Sequence, residues 1–395
     1  MAERIAITGI GIISALGCTS EENLDSLLNK KSGISRLDLL KSIHTGVLPV
    51  GEIKKTDEQL ADYLNIPYKN SLTRTSLLGM IAAKEAWNDA HLTSTDGIGL
   101  VSATTVAGMR TSELYFVDFI KGLGDAFFIN THDAGDSTEN IADYLGINDF
   151  VTTISTACSS SVNSIMLGAK MLKSQKLKKV LVGGVDVLSL FTINGFNSLM
   201  ILDKEPCRSF DKTRAGLNLG EAAAYLVLEP ESEISNPEKV YAFVDAYANA
   251  NDAFHQTASS PDGKGAGLAM QNALNMAGLG PEDIDYINAH GTATGNNDLS
   301  EGLAIMKVFG NHIPLVSSTK PFTGHTLAAA GAVEAVFSAL ALKNGLVYPN
   351  LNFSQAMPEL NFIPNTELLH RPVKHILSNS FGFGGNNSSI IFSKV

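Results

Sequence analysis

Short apolar runs alternate with amphipathic stretches along the whole chain. The runs at residues 4–8, 98–102, 152–155, 179–183, 223–228, 240–248, 286–289, 315–317, 376–380 and 388–392 have the length and composition of strands. Several are apolar at nearly every position, which fits sheets covered on both faces. Helical spacing is clearest over residues 75–90, 159–173, 265–277 and 331–343. In the second of these, Val162, Ile165, Met166, Ala169 and Leu172 form one stripe. Strands alternating with helices predict an α/β architecture with buried central sheets.

One stretch breaks the pattern. Residues 229–238 are polar, acidic and bracketed by Pro230 and Pro237, which predicts a connector. It divides the chain into an N-terminal half, residues 1–235, and a C-terminal half, residues 236–395. Near the start, Gly9-Ile10-Gly11 follows a strand and imitates the opening of a dinucleotide fingerprint. Ser14 stands at the third position and no acidic residue follows at the expected distance, so a tight strand-to-helix turn is expected instead. Residues 5–16 loosely imitate a secretory signal, but the charges of Glu3 and Arg4 cancel and glycines interrupt the run. No apolar stretch is expected to approach the ~20 residues of a membrane span.

Composition narrows the function. The 395 residues are 17% charged and 44% hydrophobic, with 35 glycines. Soluble domains typically carry about 25% charge, so a large buried fraction is expected. The 29 Lys and Arg against 40 Asp and Glu leave a net charge of −11. That argues against nucleic acid or an anionic membrane as the main partner, since both need a basic surface. Cys18, Cys158 and Cys207 are odd in number and show no C-x-x-C spacing. Such usage disfavours a disulfide framework or structural zinc and predicts a cytoplasmic protein.

Four motifs stand at the ends of predicted strands. In Ser155-Thr156-Ala157-Cys158-Ser159-Ser160-Ser161, the cysteine closes a strand and opens a helix, where the positive end of the helix dipole favours a thiolate nucleophile. A buried structural cysteine is the alternative. In Asn288-Ala289-His290-Gly291-Thr292-Ala293-Thr294, a histidine at a strand end faces a cleft or is a satisfied core residue, and Thr292 and Thr294 can hydrogen-bond a substrate chain. In Ser317-Ser318-Thr319-Lys320-Pro321-Phe322-Thr323-Gly324-His325, a lysine and a histidine precede a helix of small residues. In Asn379-Ser380-Phe381-Gly382-Phe383-Gly384-Gly385, alternating glycines can point backbone N–H groups into a site or form a hairpin. Metal ligation by His290 and His325 competes for the same residues, but no third ligand stands at zinc-type spacing.

Together, and in this order across nearly the whole chain, the motifs resemble the β-ketoacyl-[acyl carrier protein] synthases, most closely the elongating synthase I/II type. The opening Arg4-Ile5-Ala6-Ile7-Thr8-Gly9 and the segment Asp211-Lys212-Thr213-Arg214-Ala215-Gly216 fit the same family. The resemblance implies a thiolase-like, five-layered αβαβα fold of two similar halves and a homodimer. It implies that Cys158 takes an acyl group from an acyl carrier protein, and that the enolate of decarboxylated malonyl-carrier protein attacks it. His290 and His325 are expected to stabilise that enolate, with Lys320 holding the histidines electrostatically and Glu301 as a polar partner behind them. The backbone N–H groups of Cys158 and Phe383 are expected to bind the second oxyanion, with Phe383 also a gate. Thr292, Thr294, Phe381 and Gly384 are expected to contact substrate. No redox cofactor or catalytic metal is implied, because the phosphopantetheine arrives on the carrier protein.

The sequence departs from the family where Leu299 replaces a lysine, and at Asn218 and Glu221, which points towards a specialised polyene or polyketide pathway. A chain-length-factor-like partner, forming a heterodimer with a true synthase, is the alternative; such partners usually lack the nucleophile. A thiolase would need a second cysteine after Cys207, and an initiating synthase pairs Cys with His and Asn. Phe116, Phe119, Phe191 and Phe196 are candidates for the acyl pocket or dimer seam, with ordinary core the plainer reading of each. Carrier proteins are typically acidic, so Lys204, Arg208, Lys212 and Arg214 are the candidate docking patch.

Overall fold

The computed structural model describes residues 3–234 and 236–395; Ser235, at the expected boundary between the halves, lies outside the described residues. Among these, ten strands form one mixed sheet. They are β1 (Ile5–Ser14), β2 (Ile98–Ala103), β3 (Phe150–Ile154), β4 (Lys179–Asp186), β5 (Ala222–Pro230), β6 (Ala242–Asn251), β7 (Tyr286–Asn288), β8 (Leu315–Ser317), β9 (His375–Gly382) and β10 (Asn386–Ser393). All ten strand runs read from the sequence are present. The order is β3-β2-β4-β5-β1 followed by β6-β10-β9-β7-β8. Each half therefore repeats one topology, with three neighbouring parallel strands and two antiparallel ones. A five-layered αβαβα fold implies two β layers, one in each half, with no pairing between them. Instead Ile5 to Ile7 of β1 pair with Val244 to Ala242 of β6 and join them along one edge.

Helices cover both faces and fill the space between. α1 (Arg74–Asp89) lies on the outer face of the N-terminal half, capped by Thr73, whose side chain accepts from the Ser76 N–H. α2 (Ser160–Lys173), which follows Cys158, and α5 (Ala330–Asn344) form the middle layer. α3 (Lys264–Ala277) and α4 (Gly295–Phe309) cover the C-terminal half. This is the αβαβα layering of the thiolase-like fold. A helix between two sheets must be apolar all round, and every residue of α5 from Ala330 to Leu342 is buried.

Three sequence expectations need correction. The run Leu327–Asn344 is long and apolar enough to cross a membrane, yet 89% of it is buried inside the fold; it is the central core helix. Gly9 and Gly11 do not form a turn but lie within β1. A Cβ on either would stand 2.4 or 2.1 Å from the carbonyl oxygens of Ala86 and Ala82, so the glycines let α1 press against the strand. Asp89 and Glu85 of that helix accept from the Ile10 and Ile12 N–H groups, satisfying the part of β1 that β6 does not reach. Finally, Glu229 and Pro230 belong to β5 rather than the connector, and Glu229 pairs with Lys179.

Candidate active site

The parallel strands of both halves aim their carboxyl ends at one place. Cys158 follows β3, His290 follows β7, Lys320 and His325 follow β8, and Phe383 follows β9. Open α/β sheets place reacting groups at these ends because the loops there converge. Cys158 is reached through Ala157 at φ +54°, a left-handed turn that few residues other than glycine adopt. The turn delivers the thiol to the start of α2. Ser159 does not cap that helix with its side chain; its hydroxyl donates to the Thr156 carbonyl instead.

His325 Nε2 lies 3.1 Å from Cys158 Sγ. The Leu327 N–H donates to His325 Nδ1 at 3.2 Å, so Nδ1 keeps its lone pair and the ring proton of the neutral imidazole sits on Nε2. His290 stands edge-on to His325 with ring centroids 5.3 Å apart. Burial, and secondly the Lys320 charge, hold both histidines well below their ordinary pKa. They are neutral donors, not imidazolium ions. Burial also pushes the Cys158 thiol up to about 11, although the Lys320 ammonium and the Phe383 N–H pull it down. At rest the site thus holds a thiol, not the thiolate expected from the helix terminus alone, because desolvation outweighs the donors.

Lys320 is buried and forms an ion pair with Glu334 of α5. The other Glu334 oxygen accepts from Ser380 Oγ at 3.2 Å. Sequence reasoning missed Glu334. Its signal was a single acid in the otherwise uncharged stretch from Gly331 to Leu342. Glu301, expected behind the histidines, is fully buried and accepts from the backbone N–H groups of His290 at 2.9 Å and Gly291 at 2.8 Å. Burial raises its carboxyl to about 7. It holds the backbone of the His290 loop rather than an imidazole.

A cavity of about 230 Å³ opens over these groups. Cys158, His290, His325, Thr292, Thr294, Phe381 and Phe383 all line it. So does Phe196, whose ring stacks on Phe383 at 5.4 Å and 15°. Of the other guessed aromatics, Phe116 and Phe191 are exposed, while Phe119 packs edge-on against Phe128. Gly384 does not line the cavity. It is exposed and donates its N–H to the Gln256 carbonyl at 2.7 Å.

The candidate docking patch is divided. Lys204 and Lys212 are exposed. Arg208 pairs with Asp203 at 2.9 Å. Arg214 donates to the carbonyls of Asp211, Thr294 and Gly295, clamping the loop that carries Thr294. The unusual residues are structural. Asn218 holds the chain at Cys207 through its side chain, and its carbonyl accepts the His325 N–H at 2.7 Å. Glu221 receives Arg74 at 2.7 and 3.0 Å in a buried pair. Leu299 packs on the apolar core of the C-terminal half, where a lysine would be poorly solvated.

Cys158, His290 and His325 offer ligand atoms within 4.8 Å of one another, the third ligand that sequence spacing did not reveal. The donor set opposes a cation there. Leu327 reserves His325 Nδ1, so a metal would have to displace the proton on Nε2, and the Lys320 ammonium stands beside both rings.

The family comparisons agree with this geometry. The family model described as the N-terminal domain of beta-ketoacyl synthase matches residues 2–234, and that of the C-terminal domain matches residues 241–354. The 3-oxoacyl-[acyl-carrier-protein] synthase 2 of Staphylococcus aureus (strain COL) is 32% identical, covering 99% of this chain and 98% of its own. Among solved structures, the ishigamide ketosynthase/chain length factor superposes with a TM-score of 0.92 at 29% identity, covering 100% of both chains. A type II polyketide synthase acyl-carrier protein in complex with its ketosynthase bound to the hexaketide gives 0.87 at 26% identity, again covering 100% of both. The chain belongs to the β-ketoacyl synthase family, as a condensing enzyme of the elongating synthase I/II type.

Proposed function

We propose that Cys158 exchanges into an acyl-carrier thioester, forming acyl-Cys158 and releasing the carrier thiol. Malonyl-carrier protein then loses carbon dioxide, and its enolate attacks the Cys158 thioester carbonyl. The new carbon–carbon bond forms as the carbon–sulfur bond breaks, leaving a 3-oxoacyl-carrier protein two carbons longer and a free thiol. His290 and His325 donate N–H bonds to the enolate oxygen, a preorganised electrostatic role. The N–H groups of Cys158 and Phe383 receive the tetrahedral oxyanion. The Lys320–Glu334 pair fixes the charge beside the histidines, and Glu301 fixes the His290 backbone. Thr292 and Thr294 contact the pantetheine arm, Phe381 walls the site, and Phe383 gates it against Phe196. No metal or redox cofactor enters the chemistry.

One observation carries this reading: a neutral, Nε2-protonated His325 lies 3.1 Å from Cys158 Sγ, beside a second neutral histidine. Intact-mass analysis with a panel of acyl-carrier proteins tests it. The adduct is expected on Cys158 and absent in Cys158→Ala; condensation surviving in that variant would refute the assignment.

We further propose a specialised polyene or polyketide pathway in the cytoplasm, with an acidic carrier protein docking near Lys204 and Lys212. The partly exposed edge strand β3 and the exposed Leu114, Phe116, Val117 and Ile120 favour a dimer, as a homodimer or with a related subunit. The ketosynthase/chain length factor relative keeps a second reading in play, that of a non-catalytic partner. Cys158, His290 and His325 together oppose it, and condensation by the purified chain alone would exclude it.

A further inference from the structure

The turn behind His325 has a conformation that ordinary residues avoid. Leu327 sits at φ +52°, where a non-glycine residue stays only if its surroundings hold it. That conformation returns the Leu327 N–H to His325 Nδ1. The next N–H, of Ala328, is held by Asp186 Oδ2 at 2.8 Å. Asp186 ends β4 and is fully buried, and the condensation chemistry makes no use of it.

Five donors meet this carboxylate. Oδ1 accepts from Thr104 Oγ1 at 2.7 Å and from the N–H groups of Thr105 and Val106, each at 2.9 Å. Oδ2 accepts from Thr105 Oγ1 and the Ala328 N–H. Four donors come from the loop after β2 and the fifth from the turn after His325. Asp186 thereby fastens a C-terminal-half loop to the framework of the N-terminal half. Only a carboxylate can accept on both oxygens; an amide would turn an NH2 group towards one of the two donor sets.

We propose that Asp186 is a positioning residue for His325: its carboxylate holds the Leu327–Ala328 turn, and through that turn keeps the His325 ring proton on Nε2. The inference rests on the reading of His325 as an Nε2–H donor. The two neutral imidazole tautomers are chosen by the hydrogen bond that the other nitrogen makes, so the aim of one backbone N–H decides whether the donor faces the cavity.

The test is Asp186→Asn in the full-length enzyme, with kcat and KM measured for malonyl-carrier protein. The His325 tautomer is read by nitrogen NMR on histidine-labelled protein and assigned with His325→Asn. The expected result is a kcat about 10- to 100-fold lower, in line with weakening one oxyanion donor. KM should stay nearly constant, and His325 Nδ1 should leave its unprotonated position for a tautomer mixture. Should Asp186→Asn fail to fold, Asp186→Glu, which keeps the charge but displaces the oxygens, is read in the same way. A tautomer unchanged from wild type overturns the proposal whatever kcat does, since Asp186 then only supports the fold. A shifted tautomer with unchanged kcat supports the positioning role and overturns the part given to His325 in catalysis.

Discussion

Replacing Lys320 by methionine separates the stability of this site from its chemistry. Lys320 and Glu334 are 3% and 2% exposed in the ion pair. Removing the cation leaves a carboxylate buried with only Ser380 Oγ as a partner. Breaking a buried pair from one side costs about 3–5 kcal/mol, because the remaining charge is desolvated and uncompensated. With an unfolding entropy of about 2.1 cal/mol/K per residue, that corresponds to a fall in Tm of roughly 4–6 °C for this chain. The double variant Lys320→Met/Glu334→Gln removes both charges and keeps an acceptor for Ser380, so it should regain most of that loss. Activity should not follow. Lys320 helps burial to lower both histidines' pKa, so without it the acid limb of kcat/KM moves to higher pH in the single and double variants alike. Thermal melts and pH–rate profiles of the three proteins decide the matter. A Lys320→Met melt within about 1 °C of wild type, with an unmoved acid limb, would refute the ion-pair reasoning.

Three further outcomes follow from the same geometry. A Cys158 thiol held at about 11 should react with iodoacetamide about tenfold faster per pH unit between about pH 7 and 9; a plateau in that range would mean a preformed thiolate–imidazolium pair. Glu301 is raised from 4.5 to about 7, so its stabilising contribution is full below pH 4.5 and lost as pH rises through 7. Glu301→Gln should flatten that part of the stability-versus-pH curve, and an unchanged slope would count against the raised value. Lys204→Glu and Lys212→Glu should raise the apparent KM for acidic carrier protein more at low salt than at high salt. Arg214→Ala, which frees the Thr294 loop, should raise it independently of salt; equal salt dependence in all three would place the docking patch elsewhere.

The chemistry was legible in the chain because it sits in short motifs at strand ends. Cys158, His290, Lys320, His325 and Phe383 could be named from the sequence; the structure brings all but Lys320 to one cavity, and Lys320 lies buried in its pair with Glu334. Glu334 was hidden, because an acid within an apolar helix gives no hint of a partner fourteen positions away. Which of the basic side chains proposed for docking stay unpaired was not legible in the sequence. Arg208 and Arg214 look as free as Lys204 in sequence, yet folding gives them an aspartate and three carbonyls.

The alternation of apolar and polar residues determined the ten strands of the sheet and the α/β class, because these depend on local periodicity; the candidate reacting groups stood in motifs at the strand ends, and their roles came from the family resemblance. The same alternation also set the low charge that a five-layer core requires. Tertiary structure alone decided the rest. It joined the two half-sheets through β1 and β6, and it turned an apparent membrane-length run into the central helix by covering it on every side. It also gave Gly9 and Gly11 a packing role. Above all, it decided protonation. The sequence places a cysteine at a helix terminus, where charge is favoured. Only the depth of burial and the aim of the Leu327 N–H leave the thiol protonated and the His325 proton on Nε2, because desolvation and hydrogen-bond direction are properties of the folded neighbourhood.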